Sequence, residues 1–397
     1  GGIQPPDGDH LEELGGDGVM TKLIDVCEFI VDCPHSTAQD EGRGYPLIRT
    51  PNIGKGRFNL DGVHRVSESV YTKRNLRATP QDNDLIFARE APAGNVAIIK
   101  NGEKFCLGQR TVLIRPNPKY VYPDFLTYFL LAPQQQYELL GTANGATVAH
   151  VNLPTIRNLE INLPELEVQH RIADILSAYD DLIENNRKQI KLLEEVAQRL
   201  YKEWFVDLRF PGHEHTKIVD GVPEGWEECY LSKIAEFKRG KTITKAQIEP
   251  GIVPVVAGGL GPAYYHNVAN TKAPVITVSG SGANAGFTRM YYTDVFASDC
   301  SFVDEGSCAF LPFVYCFLVS CKFELESLQK GSAQPHVYAK DINTLHVRIP
   351  NDDLLHRFCE LADSLFSKIG LLEKQNNNLT QARDRLLPKL MSGEVEV

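Results

Sequence analysis

The stretch from Glu165 to Leu208, ELEVQHRIADILSAYDDLIENNRKQIKLLEEVAQRLYKEWFVDL, contains no proline or glycine and carries a single apolar seam. Steps of four and three residues link Ile172, Leu176, Tyr179, Ile183, Asn186, Ile190, Leu193, Ala197, Leu200 and Trp204. Spacing of that kind predicts a long helix that lays one face against another helix. The seam returns 186 residues further on as Phe358, Ala362, Leu365, Ile369, Leu372, Asn376, Leu379, Arg383, Leu386 and Leu390. The approach repeats with it: Leu159–Pro164 matches Leu345–Pro350, and His170-Arg171 matches His356-Arg357.

Working outward, Leu23, Val26, Phe29 and Pro46 reappear as Leu231, Ile234, Phe237 and Pro254, now 208 residues apart. The offset falls from 208 to 186, so the second copy is about 22 residues shorter inside its globular part. A repeat of this length sets the fold before any single residue does. The chain is a tandem duplication of one unit, an α+β domain followed by a long helix. Antiparallel packing of the two seams would set Ile172 opposite Leu390, Trp204 opposite Phe358, and Asn186 opposite Asn376. Two polar residues paired inside an apolar seam fix register; facing solvent, they would mark only a loose point. A seam of 33 residues makes a rod of about 50 Å, with the two domains at opposite ends about a pseudo-two-fold.

The expected boundaries are a tag-like leader over 1–19, a first domain over 20–164 and the first helix over 165–208. A linker follows over 209–226, then a second domain over 227–350, and a second helix with its tail over 351–397. The linker is punctuated by Pro211, Gly212, Gly221, Pro223 and Gly225, which suits an exposed connector. Strands are expected at Pro46–Ile48, Leu85–Ala88, Val96–Ile99, Thr111–Arg115, Val253–Val256, Val275–Val278 and Phe302–Val303, with turns at Asn144–Thr147 and Gly331–Ala333. Pro388 should kink or end the second helix.

The apolar share of 43% and charged share of 23% are those of an ordinary soluble protein. No apolar run approaches the ~18 residues of a membrane span, so a cytoplasmic protein is expected. Nine cysteines, with no CxxC pair, read as buried thiols and not as a disulfide framework or zinc site. The net charge of −10 argues against a nucleic-acid partner until its distribution is followed. Five acids and no Lys or Arg lie in residues 1–19, whereas Lys and Arg outnumber Asp and Glu over 41–125 and slightly over 230–325. A basic face on each domain fits those counts.

Catalytic signatures fail on inspection. Ala235–Thr242 fits the phosphate-loop pattern only with Ala at the first glycine, and Lys238, Arg239 and Lys241 suit a phosphate-contacting loop better. Gly280–Gly286 follows a strand, but its spacing is not GxGxxG and a second β segment follows where a helix should. It reads as a hairpin turn or a contact loop, aligned with Arg89–Gly94. The histidines give no metal or triad spacing; His150 and His336 fall at equivalent turns. No metal and no catalytic residue is expected.

Two variable domains, each followed by a similar long helix, resemble the DNA-specificity subunit of type I restriction-modification systems. The likeness rests on VNLPTIRNLEINLP from Val151, QHRIADIL from Gln169, RLLPKLMSGE from Arg385, and the Gly225-Trp226 step. It implies two target-recognition domains, each reading one half of a split DNA site, with the helices as a spacer of about one helical turn, ~34 Å. It also implies two methyltransferase subunits carrying AdoMet, and motor-nuclease subunits using ATP and Mg, with no cofactor in this chain. Arg49, Asn52, Lys55, Arg57, Lys73, Arg74, Arg89 and Arg110 are the expected DNA contacts of the first domain. Lys238, Arg239, Lys241, Thr242, Lys245, Ser279, Ser281, Asn284 and Arg289 are those of the second. Arg383 departs from the repeat, standing where the first copy has Ala197, so packing there should loosen or serve a partner. The residues alone leave open a coiled-coil scaffold for protein partners without DNA specificity.

Overall fold

The computed structural model describes residues 21–141, 149–331 and 334–397, so the leader, the Asn144–Thr147 turn and the Ser332-Ala333 step lie outside the described residues. The chain divides into two compact units. One holds the described residues up to Glu184 together with Asn376–Val397; the other is Asn185–Gln375.

In the first unit, β1 (Thr21–Lys22) pairs with β9 (Glu160–Ile161), tying the domain's start to its end. A four-stranded antiparallel sheet runs in the order β2 (Cys27–Asp32), β8 (Thr111–Pro116), β5 (Leu85–Ala88), β6 (Val96–Ile98). A three-stranded sheet places β3 (Tyr45–Ile48) between β4 (Arg65–Val66), antiparallel to it, and β7 (Cys106–Leu107), parallel to it. The run Leu-Ile-Phe-Ala of β5 is buried throughout because both faces are covered. Leu85 and Phe87 point to one core with Val112 and Ile114 of β8, while Ile86 and Ala88 point to another with Leu113 and Ile48, as the two-residue period of a strand requires. α1 (Glu68–Arg74) packs Val70 and Tyr71 against Leu47, Val66 and Cys106 of the three-stranded sheet, and α2 (Pro123–Leu131), α3 (Pro133–Gly141) and α4 (Leu153–Arg157) complete the domain. Pro123 opens α2 at a first-turn position, where no amide donor is lost.

α5 (Leu166–Tyr201) begins in the first unit and continues into the second. It gives way over Lys202–Val206 to a π-helical turn. The connector contains a short hairpin, β10 (Ile218–Val219) with β11 (Val222–Pro223). The second domain then repeats the topology of the first. β12 (Glu227–Tyr230) pairs with β20 (His346–Ile349), as β1 does with β9. The four-stranded order is β13 (Lys238–Arg239), β19 (Cys300–Asp304), β16 (Val275–Ser279), β17 (Thr288–Tyr291). Its three-stranded companion sets β14 (Val253–Val256) between β15 (Tyr264–His266) and β18 (Phe296–Ala297), again antiparallel on one side and parallel on the other. α6 (Leu311–Ser320), α7 (Lys322–Ser327) and α8 (Ala339–Ile342) follow, and then α9 (Asp352–Met391).

Each unit contains part of both long helices, and in each they run antiparallel. In the second unit Trp204 stacks edge-on against Phe358 at 5.9 Å, and Asn186, buried, donates from Nδ2 to Gln375 Oε1 at 3.2 Å. Gln375 is the neighbour of the residue expected opposite Asn186. In the first unit Ile172 and Leu176 share a core with Leu387 and Leu390. Every seam position, Tyr179, Ile183, Ile190, Leu193, Leu200, Leu365, Ile369, Leu372, Asn376, Leu379 and Leu386 among them, is buried or half-buried. Pro388 lies inside α9, which ends three residues later at Met391; its missing amide donor leaves one more carbonyl of the last turns unpaired. One expectation is corrected. Arg383 does not loosen the packing: it is 8% exposed and ion-paired to the buried Asp180.

Candidate nucleic-acid interface

The hairpin between β5 and β6 and its counterpart between β16 and β17 are built alike. Each closes on a glycine in the left-handed region, Gly94 at φ +91° and Gly286 at +89°, where a side chain would be strained. The backbone bond from Arg89 N to Arg110 O, 2.9 Å, has its twin from Gly280 N to Asp299 O, 3.1 Å. Val151 N to Arg89 O, 3.0 Å, is matched by Val337 N to Gly280 O, 3.1 Å. These bonds superpose three segments in each domain: the hairpin tip, the turn before the next sheet strand, and the segment leading into the last short helix. Glu90 therefore corresponds to Ser281, Arg110 to Asp299, and His150 to His336.

The same frame carries opposite chemistry. In the first domain Arg110 Nη1 lies 2.9 Å from Glu90 Oε2, and Glu90 Oε1 lies 2.5 Å from His150 Nδ1. Arg89 Nη2 is 2.9 Å from His150 Nε2, and its Nε donates to Val151 O at 2.8 Å. Because a guanidinium only donates, His150 accepts at Nε2 and carries its proton on Nδ1, donating it to Glu90. The chain of bonds ends at Arg110, whose side chain is 53% exposed and whose backbone sits at φ +65°. Strain at a non-glycine residue of this kind is held by its surroundings. In the second domain Ser281 Oγ donates to Asp299 Oδ2, and the Ser281 backbone bridges to His336. Asn284 reaches Gly258 O at 3.5 Å, and the Ser279 hydroxyl is buried without a hydrogen-bond partner among the described residues. One frame thus offers a guanidinium in one domain and a carboxylate in the other.

The remaining expected contacts divide by position. Lys55 and Lys73 are exposed in the first domain; Lys238, Arg239, Lys241, Thr242 and Lys245 are exposed along and beyond the edge strand β13 of the second. That segment forms no strand–loop–helix, so it lacks the frame of a phosphate loop. Asn52 is buried, receiving the Arg49 amide at 3.1 Å and donating to Asn59 O at 3.1 Å. Arg74 is buried and donates to Leu107 O and Ser36 Oγ. Arg49 is half-buried. Arg57 and Arg289 turn toward the long helices, Arg57 to Asp181 at 2.7 Å and Arg289 to Glu373 at 3.3 Å. Arg289 also lies over the Tyr291 ring. Glu90 and Asp299 were missed because acids are discarded when DNA contacts are sought by charge; neither the 208 nor the 186 offset sets Asp299 on Arg110, and the correspondence rests on the matched backbone bonds. No group of three or more His, Cys, Asp or Glu among the described residues could hold a metal ion. None of their helices is long and apolar enough to cross a membrane.

The family model described as "Type I restriction modification DNA specificity domain" matches residues 17–195 and again 223–381. The chain is 29% identical to the type I restriction enzyme MjaIX specificity subunit of Methanocaldococcus jannaschii, over 98% of this chain and 95% of that one. Identity to the HindI specificity subunit of Haemophilus influenzae is 23%, over 79% and 86% of the two chains. In fold it is similar to the crystal structure of a type I restriction-modification S subunit from M. genitalium, at a TM-score of 0.54, 19% identity, and 94% and 95% coverage. With the specificity domain present twice over most of its length, the chain belongs to the type I restriction-modification DNA specificity family.

Proposed function

We propose that each domain of this DNA-specificity subunit reads one half of a bipartite duplex site through its hairpin-centred cluster. The observation that carries the reading is the placement of Arg110 and Asp299 at one position of a repeated frame. In the major groove a guanidinium matches guanine O6 and N7, whereas a carboxylate accepts from the amino group of cytosine or adenine. The first half-site is then guanine-bearing at the position Arg110 meets, and the second carries an amino group opposite Asp299. Lys55, Lys73, Lys238, Arg239, Lys241 and Lys245 serve as phosphate contacts, which position without specifying.

The chain itself performs no chemistry in this reading; the long helices set the spacing between half-sites and dock the modification subunits. Leu192, Val196, Leu361 and Leu371, exposed on the helices, supply apolar surface for that docking. AdoMet would reside in those methyltransferase partners, and ATP and Mg in motor-nuclease subunits, all in the cytoplasm. Duplex binding across a salt series tests the reading. A steep fall of affinity with salt, together with a sequence preference lost at one base on Arg110→Ala, supports it. Salt-independent or absent binding would favour a protein scaffold instead.

A further inference from the structure

A duplicated chain faces a pairing ambiguity. Its two seams are alike, so α5 could bury its apolar face against α9 or against the α5 of a second copy. At one level of the seam, however, the two units differ completely. In the first, the buried Asp180 carboxylate receives the Tyr128 hydroxyl at 2.6 Å and is ion-paired to Arg383, whose Nη2 also lies 2.7 Å from Asp384. Phe125, Phe129 and Leu130 of α2 match Phe313, Phe317 and Leu318 of α6, which sets Cys316 where the first unit has Tyr128. By the helix repeat, Phe366 stands for Asp180 and Ala197 for Arg383. Cys316, Phe366 and Ala197 are all buried in one apolar core, with Cys316 Sγ 3.9 Å from Ala197 O.

We propose that this exchange of a polar trio for an apolar one is a pairing code that makes the first long helix accept the second and reject a copy of itself. Were α5 to meet another α5 in the same antiparallel register, Asp180 would face Ala197 of the second copy, a buried carboxylate stripped of its Arg383 partner. Were α9 to meet another α9, Arg383 would face Phe366 of the second copy, a buried guanidinium stripped of Asp180. Both like-with-like pairings strand a charge twice; only α5 with α9 satisfies all four positions at once. A buried polar residue that selects among partners on otherwise equivalent seams acts in the same way. The consequence is a reader with two different domains in one chain, in place of assemblies joined through like helices.

The test uses the full chain refolded from urea at high protein concentration, with mass read by light scattering after size exclusion. The wild type is expected to be monomeric. The variant Tyr128→Phe, Asp180→Leu and Arg383→Met removes the code while keeping the level apolar, and more than a tenth of it should run at twice the chain's mass. A second arm holds if that variant fails to fold. One chain carrying Asp180→Arg and another carrying Arg383→Asp each set like charges together; refolded as a mixture they should yield a heterodimer that neither forms alone. A folded triple variant as monomeric as the wild type, or a mixture that yields no heterodimer, overturns the proposal.

Discussion

Replacing Arg383 with alanine takes the ion-pair partner from the buried Asp180 carboxylate in the first unit. The Asp180 and Arg383 side chains are 3% and 10% exposed, so solvent screens neither the attraction nor its loss. Tyr128 would remain as one neutral donor, and Arg57, already paired to Asp181, would act on the carboxylate only at longer range. Removing one partner of a buried pair costs about 3–5 kcal/mol, because the other charge is left unpaired in a poor solvent. At 1.4 kcal/mol per tenfold, the opening equilibrium of the first unit should rise by roughly two to three and a half orders of magnitude. Arg289→Ala is the control. Its pair with Glu373 is about one-third exposed on each side, so its removal should cost about 0–1 kcal/mol. Native-state hydrogen exchange reads the difference by segment, with lost protection centred on 172–184 and 376–390. The compensated variant Asp180→Leu with Arg383→Met should recover most of the loss, since an apolar replacement of a buried pair is often neutral. Equal effects of Arg383→Ala and Arg289→Ala, or an Arg383→Ala cost under about 1 kcal/mol, would refute the reasoning.

Other outcomes follow from the same structure. Gly370→Ala should destabilise the second unit: a Cβ there would lie 2.7 Å from Tyr292 Cγ and 2.8 Å from its Cβ. Overpacking of about 1–3 kcal/mol should outweigh the ~1 kcal/mol gained in helix propensity; a raised melting temperature would contradict this. Burial pushes the thiols of Cys300, Cys321 and Cys359 up to about 12 and that of Cys106 to about 11. At pH 8 a thiol at 12 is thiolate in roughly one molecule in ten thousand. Alkylation of the native chain should therefore be fastest at the half-buried Cys229 and reach all nine cysteines only in denaturant; comparable native labelling at Cys300 or Cys359, read by mass spectrometry, would count against the burial. Lys241→Ala should weaken binding to all duplexes alike and lower the salt slope by about one; a change confined to one sequence would make Lys241 a base contact.

The duplication was legible in the sequence because helix packing repeats side chains at fixed intervals, and the seam from Ile172 to Trp204 recurs without a gap. The strands at Leu85–Ala88 and Val275–Ser279 were legible too, since burial on both faces leaves an unbroken apolar run. What escaped was pairing across distance. Asn52 and Arg74 look like free polar groups in sequence, yet their donors serve carbonyls of other segments. Arg383 reads as a blemish in the seam until Asp180, 203 positions away, is set beside it. Asp299 could not be chosen by charge, because a lone acid on a domain expected to touch DNA reads as solvated surface; only its superposition on Arg110 gives it a role.

The proposed division of one site between two domains is tested most directly by mapping methylated adenines in cells carrying this chain with the methyltransferase subunits proposed for it. The wild type should give one bipartite motif with a fixed gap. Arg110→Ala should relax one base in one half, and Asp299→Ala one base in the other half, each by about 1–3 kcal/mol of discrimination, with the gap unchanged. A motif without two halves, or either substitution altering both halves together, would contradict the division.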